Sequence, residues 1–313
     1  MTCQQAAPET VQLSFTPFRK QETRMAETTA FNKTYTIGGD LTVNRMGFGA
    51  MRITGEGIWG PPKDREEAIR VLQRTVELGI NFIDTADSYG PNVSEELIAE
   101  ALYPYPKDLI IATKGGLTRT GPGVWPINAH PDYLQRALEG SLKRLKQDRI
   151  DLYQLHRIDP DVPYEKTLEF LQRVQEEGLV KHIGLSEVNV DQIQKAQQYF
   201  PVVTVQNKYS VDFRTKWEDE LTFCEEQNIG FIPWNPINAG NVGAISKLQE
   251  IGNKYGATAH QIALSWLLHR SPNILLIPGT SKVKHLEENY AAASIALSKE
   301  DLNELDKIKQ SEK

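Results

Sequence analysis

Cysteine is nearly absent from this sequence of 313 residues, which contains only Cys3 and Cys224. Two cysteines cannot build a disulfide framework, so a hydrophobic core must hold the fold, and a reducing compartment is indicated. No apolar run approaches the roughly 20 residues that a membrane-spanning helix needs. No basic cluster is present either, since 35 Lys and Arg stand against 41 Asp and Glu, for a net charge of -6. We therefore expect a cytoplasmic protein that binds neither membranes nor nucleic acid.

The composition is that of a folded protein, with 40% hydrophobic and 24% charged residues. Residues 1–33 are the exception, because they show neither helical nor strand periodicity. We interpret them as a mobile N-terminal extension with features of neither a secretory signal nor a transit peptide, and Met25 is an alternative start. Residues 34–313 are predicted to form one domain.

An N-terminal β-hairpin is predicted over residues 34–43, with a turn at Gly38 and Gly39. Short apolar runs then alternate with amphipathic segments. Helix starts are marked by capping-box patterns at Asp64 with Glu67 and at Thr258 with Gln261. The apolar runs predict eight strands, at residues 46–50, 80–84, 109–113, 150–154, 182–185, 202–205, 229–233 and 274–277.

Eight apolar strands separated by helices predict a parallel sheet closed into a single (β/α)8 barrel, preceded by the hairpin and followed by a C-terminal helix. The alternative is an open doubly wound sheet. It is weaker, because residues 47–52 lack the third glycine of the dinucleotide-binding fingerprint and a loop follows them.

Polar or aromatic residues follow the apolar strands, at the end where such barrels carry their active sites. Because an unpaired buried charge costs several kcal/mol, we expect Asp84 and Lys114 to form an ion pair. The residues at the strand ends are Asp84, Lys114, His156, Ser186, Gln206 and Trp234.

The segment Asp-Thr-Ala-Asp-Ser-Tyr-Gly at residues 84–90, followed by Lys114 and by Leu155-His156, resembles the aldo-keto reductase superfamily. The resemblance extends from about Thr34 to the C-terminal helix. It implies a (β/α)8 barrel that reduces carbonyl compounds with NADPH. The catalytic residues that it implies are Asp84, Tyr89, Lys114 and His156.

The resemblance also implies a nicotinamide site, with Ser186 and Gln206 on the carboxamide and Trp234 stacked on the ring. Two departures stand out: Glu187 occupies a place that is often Asn, and His285 one that is often Arg. The segment after the eighth strand is similar instead to bacterial-type aldehyde and pyridoxal reductases, which leaves Lys282 as the clearest cation for a 2'-phosphate. The further cofactor-binding residues implied here are Gly279, Thr280, Ser281, Lys282, Glu288 and Asn289.

The residues themselves agree with carbonyl reduction. An alkoxide that forms on the substrate needs a proton, which Tyr89 can donate if the neighbouring ammonium of Lys114 lowers the pKa of its phenol from roughly 10. His156 can donate a hydrogen bond to the carbonyl oxygen. No metal is needed, and no zinc-ligand spacing occurs.

Small aldehydes or ketones are the expected substrates, and the loops after strands one and three offer Trp59 and Trp125 as pocket walls. Arg157 stands where many family members have Trp. Its guanidinium either turns away to pair with Asp159 or Asp161, or faces the pocket and favours anionic or polar substrates.

Two other functions stay open at this point. The barrel could be a nicotinamide-binding sensor subunit of a larger complex, with little turnover. It could also be an isomerase or lyase that uses Lys114 as a Schiff-base amine.

Overall fold

The computed structural model of the chain describes Met1 and residues 31–236 and 242–310. Nearly all of the predicted N-terminal extension, residues 1–33, lies outside the described residues.

An antiparallel hairpin opens the ordered fold and confirms the prediction for residues 34–43. It pairs β1 (Thr34–Ile37) with β2 (Leu41–Asn44). Gly38 and Gly39 form its turn with φ values of 60° and 83°, which glycine adopts at little steric cost.

Seven parallel strands form the main sheet, and their spatial order follows their order in the chain. A doubly wound sheet reverses its strand order at a switch point, so that alternative does not fit. The strands are β3 (Phe48–Gly49), β4 (Phe82–Asp84), β5 (Ile110–Gly115), β6 (Ile150–Leu155), β7 (Val180–Ser186), β8 (Val202–Gln206) and β9 (Gly230–Phe231).

The predicted eighth strand, residues 274–277, makes isolated bridges to both ends of this sheet. Ile274 bridges to Phe231 and Leu276 bridges to Met46, both in parallel orientation. The structure therefore contains a curled seven-stranded parallel sheet with a short bridging segment between its first and last strands, where the sequence predicted eight full strands.

Helices follow the strands and cover the outside of the sheet. They are α1 (Arg65–Glu77), α2 (Val93–Leu102), α3 (Pro131–Leu145), α4 (Tyr164–Glu176), α5 (Val190–Ala196), α6 (Glu218–Glu226), α7 (Val242–Tyr255), α8 (Ala259–Arg270), α9 (Val283–Ala291) and the predicted C-terminal helix α10 (Lys299–Asp306). No helix in the described part of the chain is long and apolar enough to cross a membrane.

The two predicted capping boxes differ in outcome. Thr258 and Gln261 make both reciprocal bonds at the start of α8. Asp64 accepts from the Glu67 amide at 2.9 Å, but the reciprocal bond is missing because the Glu67 carboxylate accepts instead from the amide of Val283, at 3.1 Å. This contact ties α1 to the start of α9, next to the segment predicted to bind phosphate.

Candidate active site

The six residues predicted at the strand ends gather at one edge of the sheet. All of them except Lys114 line one cavity of about 840 Å³. Such a volume is typical of a small-molecule or cofactor site. Because parallel strands end on the same side of a sheet, this convergence follows from the topology.

Asp84 and Lys114 form the predicted ion pair, with Nζ to Oδ1 at 2.5 Å and both side chains almost fully buried. Lys114 Nζ also donates to the Thr85 carbonyl at 2.9 Å. The other Asp84 oxygen accepts from the amides of Gln154, at 2.9 Å, and Gln206, at 3.1 Å. These hydrogen bonds hold both the ammonium and the carboxylate in place and offset part of the cost of burying their charges.

Tyr89 lies beside this pair, with its hydroxyl 3.4 Å from Lys114 Nζ. Burial raises the pKa of the Tyr89 phenol above its ordinary value, the Lys114 charge opposes the rise, and Asp84 adds to it. The expected lowering of this pKa is therefore wrong for the protein alone, because burial outweighs an ammonium whose charge is neutralised by Asp84. Tyr89 is consequently a neutral phenol and carries the proton that a general acid needs.

Lys114 stays charged in the same surroundings. Burial pushes its pKa down, but Asp84 and Tyr89 together raise it above its ordinary value. A charged ammonium stabilises a neighbouring phenolate. It is a poor nucleophile, which disfavours the Schiff-base alternative.

His156 follows β6 and faces Tyr89, with the ring centroids 5.9 Å apart at 79°. Burial, with the charges of Lys114 and Arg157, lowers the pKa of His156 well below its ordinary value. The imidazole is therefore neutral and can donate one hydrogen bond. Its Nδ1 atom has no hydrogen-bond partner among the described residues.

Arg157 lines the cavity, so of the two orientations that the sequence left open the structure has the one that faces the pocket, and not the pairing with Asp159 or Asp161. Its Nη1 donates to the His156 carbonyl at 2.6 Å and to Ser186 Oγ at 3.0 Å. The Asp159 carboxylate is engaged elsewhere, by the amides of Ala129 and Asp161. Arg157 is thus a cation on the cavity wall beside Ser186.

Glu187, the first departure from the family pattern, positions Trp234. Its carboxylate accepts from the Trp234 indole nitrogen at 2.8 Å and from the Lys208 amide at 2.7 Å. Glu187 has a φ of 55°, an uncommon value for a residue other than glycine. The acidic side chain therefore fixes the orientation of the aromatic ring predicted to stack on the nicotinamide.

The two predicted aromatic walls differ in position. Trp125 lines the cavity and packs edge-on against Tyr89, with centroids 6.3 Å apart at 87°. Trp59 is 36% exposed and lies on the rim, while its neighbour Ile58 lines the cavity.

The segment after residue 277 borders a second cavity of about 420 Å³, which shares Arg52, Ile58 and Gly279 with the first. Thr280 and Ser281 also line it. Lys282 is exposed at the start of α9, and neither it nor Glu288 lines either cavity. Asn289 is buried and hydrogen-bonds His260, which lines the first cavity.

Sequence reasoning missed three residues of the site. Gln154 supports Asp84, and its signal was a polar side chain inside an otherwise apolar strand. Arg52 lines both cavities, and its guanidinium forms no hydrogen bond or ion pair with any other described residue. The charge of this guanidinium is therefore available to a ligand. Arg119 lies in a loop and contacts Trp59 and Trp125, and no pattern in the neighbouring sequence predicted these contacts.

Within the described ranges, no group of three or more His, Cys, Asp or Glu residues could hold a metal ion. Cys224 is buried and carries a free thiol.

Comparison with known proteins bears on this geometry. The family model described as "Aldo/keto reductase family" matches residues 45–310. A protein described as an uncharacterized oxidoreductase of Schizosaccharomyces pombe is 54% identical, over 88% of this chain and 89% of its own length. Pyridoxine 4-dehydrogenase of Escherichia coli is 42% identical, over 88% and 98%.

Among solved structures, an aldo/keto reductase from Klebsiella pneumoniae in complex with NADP and acetate superposes with a TM-score of 0.76 and 26% identity. The match covers 90% of this chain and 97% of that one. The family model covers most of the chain, and the described fold and cavity agree with it. The chain belongs to the aldo/keto reductase family.

Proposed function

We propose that the protein reduces small aldehydes or ketones to alcohols, with NADPH as cofactor and Tyr89 as proton donor. The observation that carries this proposal is the buried chain from Asp84 through Lys114 to Tyr89, which ends at a cavity that His156 also lines. We further infer that residues 274–277 complete a closed eight-stranded barrel, that residues 34–313 form one domain, and that the enzyme is cytoplasmic.

NADPH, when bound, supplies the hydride that reduces the carbonyl carbon. The neutral imidazole of His156 donates a hydrogen bond to the carbonyl oxygen and orients it. As negative charge develops on that oxygen, the Tyr89 hydroxyl transfers its proton to it. The phenolate left behind is stabilised by Lys114 Nζ, and Asp84 keeps that ammonium in place, so the proton moves between preorganised groups.

The residues around the cavities fit this cofactor. The Arg52 side chain offers a cation that has no partner in the described chain, and Gly279 lies beside it where the two cavities meet. We assign Ser186 and Gln206 to the carboxamide and Trp234 to the ring face. The phosphates are assigned to Gly279, Thr280, Ser281 and Lys282, and Glu288 and Asn289 on α9 are assigned to other parts of the cofactor.

The test is the loss of reduced-nicotinamide absorbance when NADPH and the purified protein are mixed with a panel of aldehydes and ketones. Turnover that depends on both protein and carbonyl compound supports an enzyme. Tight NADPH binding without turnover of any carbonyl compound would favour the sensor-subunit alternative.

Replacement of Lys282 by Ala is expected to weaken NADPH binding by about three- to tenfold and to leave NADH binding unchanged, because an ammonium interacts with the extra phosphate. Dissociation constants for both cofactors, from fluorescence titration, measure the effect. Lys166→Ala is the matched control, since Lys166 is also exposed but lies on α4, pairs with Glu169 and lines neither cavity. Equal weakening of both cofactors would remove the assignment.

Arg157→Ala is expected to reduce the preference for a carboxylated benzaldehyde over unsubstituted benzaldehyde by about tenfold, because the cation on the cavity wall attracts an anionic group. The measured quantity is the ratio of kcat/KM for the two aldehydes. A ratio cancels any common effect that arises through Ser186. An unchanged ratio would mean that Arg157 serves Ser186 and the cofactor rather than the substrate.

A further inference from the structure

Arg119 joins three loops at the mouth of the cavity. It lies in the loop between β5 and α3, residues 116–130, and reaches the loop between β3 and α1, residues 54–64, and the turn before Tyr89. One acceptor is available for each of its five N–H groups. The acceptors are the carbonyl oxygens of Val124 at 2.9 Å, Ile58 at 2.5 Å, Ser88 at 3.1 Å, Gly57 at 2.7 Å and Gly121 at 3.3 Å.

The same guanidinium supports the aromatic wall. Its Cζ atom is 3.6 Å from the centroid of the Trp125 ring and 5.7 Å from that of Trp59. Trp125 in turn packs edge-on against Tyr89. A single side chain thus contacts the wall of the cavity and the backbone next to the proton donor.

Carbonyl oxygens and aromatic faces surround the partly exposed guanidinium of Arg119, which forms no ion pair within the described ranges. Burial lowers the pKa of its guanidinium, with no carboxylate to oppose the shift. A planar fork with five donors suits this arrangement, whereas a lysine ammonium has three donors and cannot reach all three loops at once. The position therefore demands arginine for its shape as well as its charge.

We propose that Arg119 is a positioning residue that sets substrate specificity, by holding Trp125 at a fixed separation from Tyr89 so that aromatic aldehydes are favoured over small aliphatic ones. This rests on the proposed carbonyl reduction and names its substrate class.

The mouth of the first cavity is apolar, as a site for aromatic aldehydes requires. Ile58, Leu117, Trp125 and Ile127 line it on the side of these loops. Among the described residues, the large hydrophobic side chains that are most exposed include Trp59 at 36%, Val124 at 48% and Ile127 at 41%, all on the same two loops. A planar ring whose carbonyl group reaches Tyr89 offers more apolar surface to Trp125 than propanal does, so it gains more from a wall held in place.

The experiment compares Arg119→Lys with wild type on 2-naphthaldehyde and on propanal. We expect kcat/KM for naphthaldehyde to fall about tenfold or more, mostly through KM, because wall contacts in such a pocket are worth about 10- to 200-fold. For propanal we expect a change of less than about threefold. Arg173→Lys is the control, since Arg173 also lies over an aromatic ring, Phe170, but on the outer surface of α4.

Hydrogen exchange gives a readout that does not depend on turnover. The Gly123 amide donates to the Gly57 carbonyl at 2.9 Å and spans the two loops. Peptides that cover residues 55–60 and 119–125 should exchange faster in Arg119→Lys, while α4 stays unchanged. Equal losses of kcat/KM for both aldehydes, or unchanged exchange in these peptides, would overturn the proposal. Absence of turnover in wild type would instead refute the proposed function and leave the exchange result as the test of anchoring.

Discussion

Tyr89→Phe is expected to lower kcat for the proposed aldehyde reduction by about 10²-fold to 10⁴-fold, the range typical for loss of a general acid, while the dissociation constant for NADPH stays within about twofold. The substitution removes one hydroxyl and leaves the ring that packs against Trp125 and His156. Steady-state kinetics with saturating NADPH, together with a cofactor titration, measure the two effects separately.

Tyr103→Phe is the matched control, because Tyr103 is 51% exposed and its ring contacts Tyr105 and Lys146, neither of which lines the cavity. It should retain wild-type activity. A near wild-type rate in Tyr89→Phe would show that another group or water supplies the proton, and the role given to Tyr89 would be abandoned.

Lys114→Met acts on both stability and chemistry. It leaves the Asp84 carboxylate buried without its cation, and breaking a buried ion pair costs about 3–5 kcal/mol of unfolding free energy. We expect kcat to fall by about 10²-fold to 10³-fold as well, because the phenolate of Tyr89 loses its electrostatic support. Urea denaturation and steady-state kinetics on the same preparation give both numbers.

The double variant Asp84→Asn with Lys114→Met separates the two effects. Removing both charges leaves no buried ion, and the Asn carbonyl can still accept from Gln154 and Gln206. We therefore expect most of the lost stability to return while activity remains low. Recovery of activity together with stability would mean that Lys114 matters only for folding.

The protonation states in the site share one physical cause. Burial keeps Tyr89 as a neutral phenol and His156 as a neutral imidazole, and Asp84 retains the charge on Lys114 in spite of the same burial. A proton donor, a neutral hydrogen-bond donor and one fixed cation are what carbonyl reduction requires.

The order and approximate place of the strands, and the polar residues that meet at one edge of the sheet, could be predicted from the amino-acid sequence. Continuous apolar runs bounded by turns mark strands that are buried on both faces, and a charged residue at the end of such a run is conspicuous. The pairing of Asp84 with Lys114 followed because unpaired charges are too costly to bury. The predicted strand at residues 274–277 forms only isolated bridges, because an apolar run in the sequence does not show how many backbone hydrogen bonds it will make with the strands beside it.

Contacts between side chains that lie far apart in the chain could not be predicted, because they form only when the chain folds. Arg157 donates to Ser186, because backbone amides already occupy the Asp159 carboxylate. Glu187 accepts a hydrogen bond from the indole of Trp234. Arg119 reached carbonyl groups in three loops, which no local pattern in the sequence records. The pKa of Tyr89 rose instead of falling, because the balance between burial and one neighbouring charge depends on distances and solvent exclusion that exist only after the chain has folded.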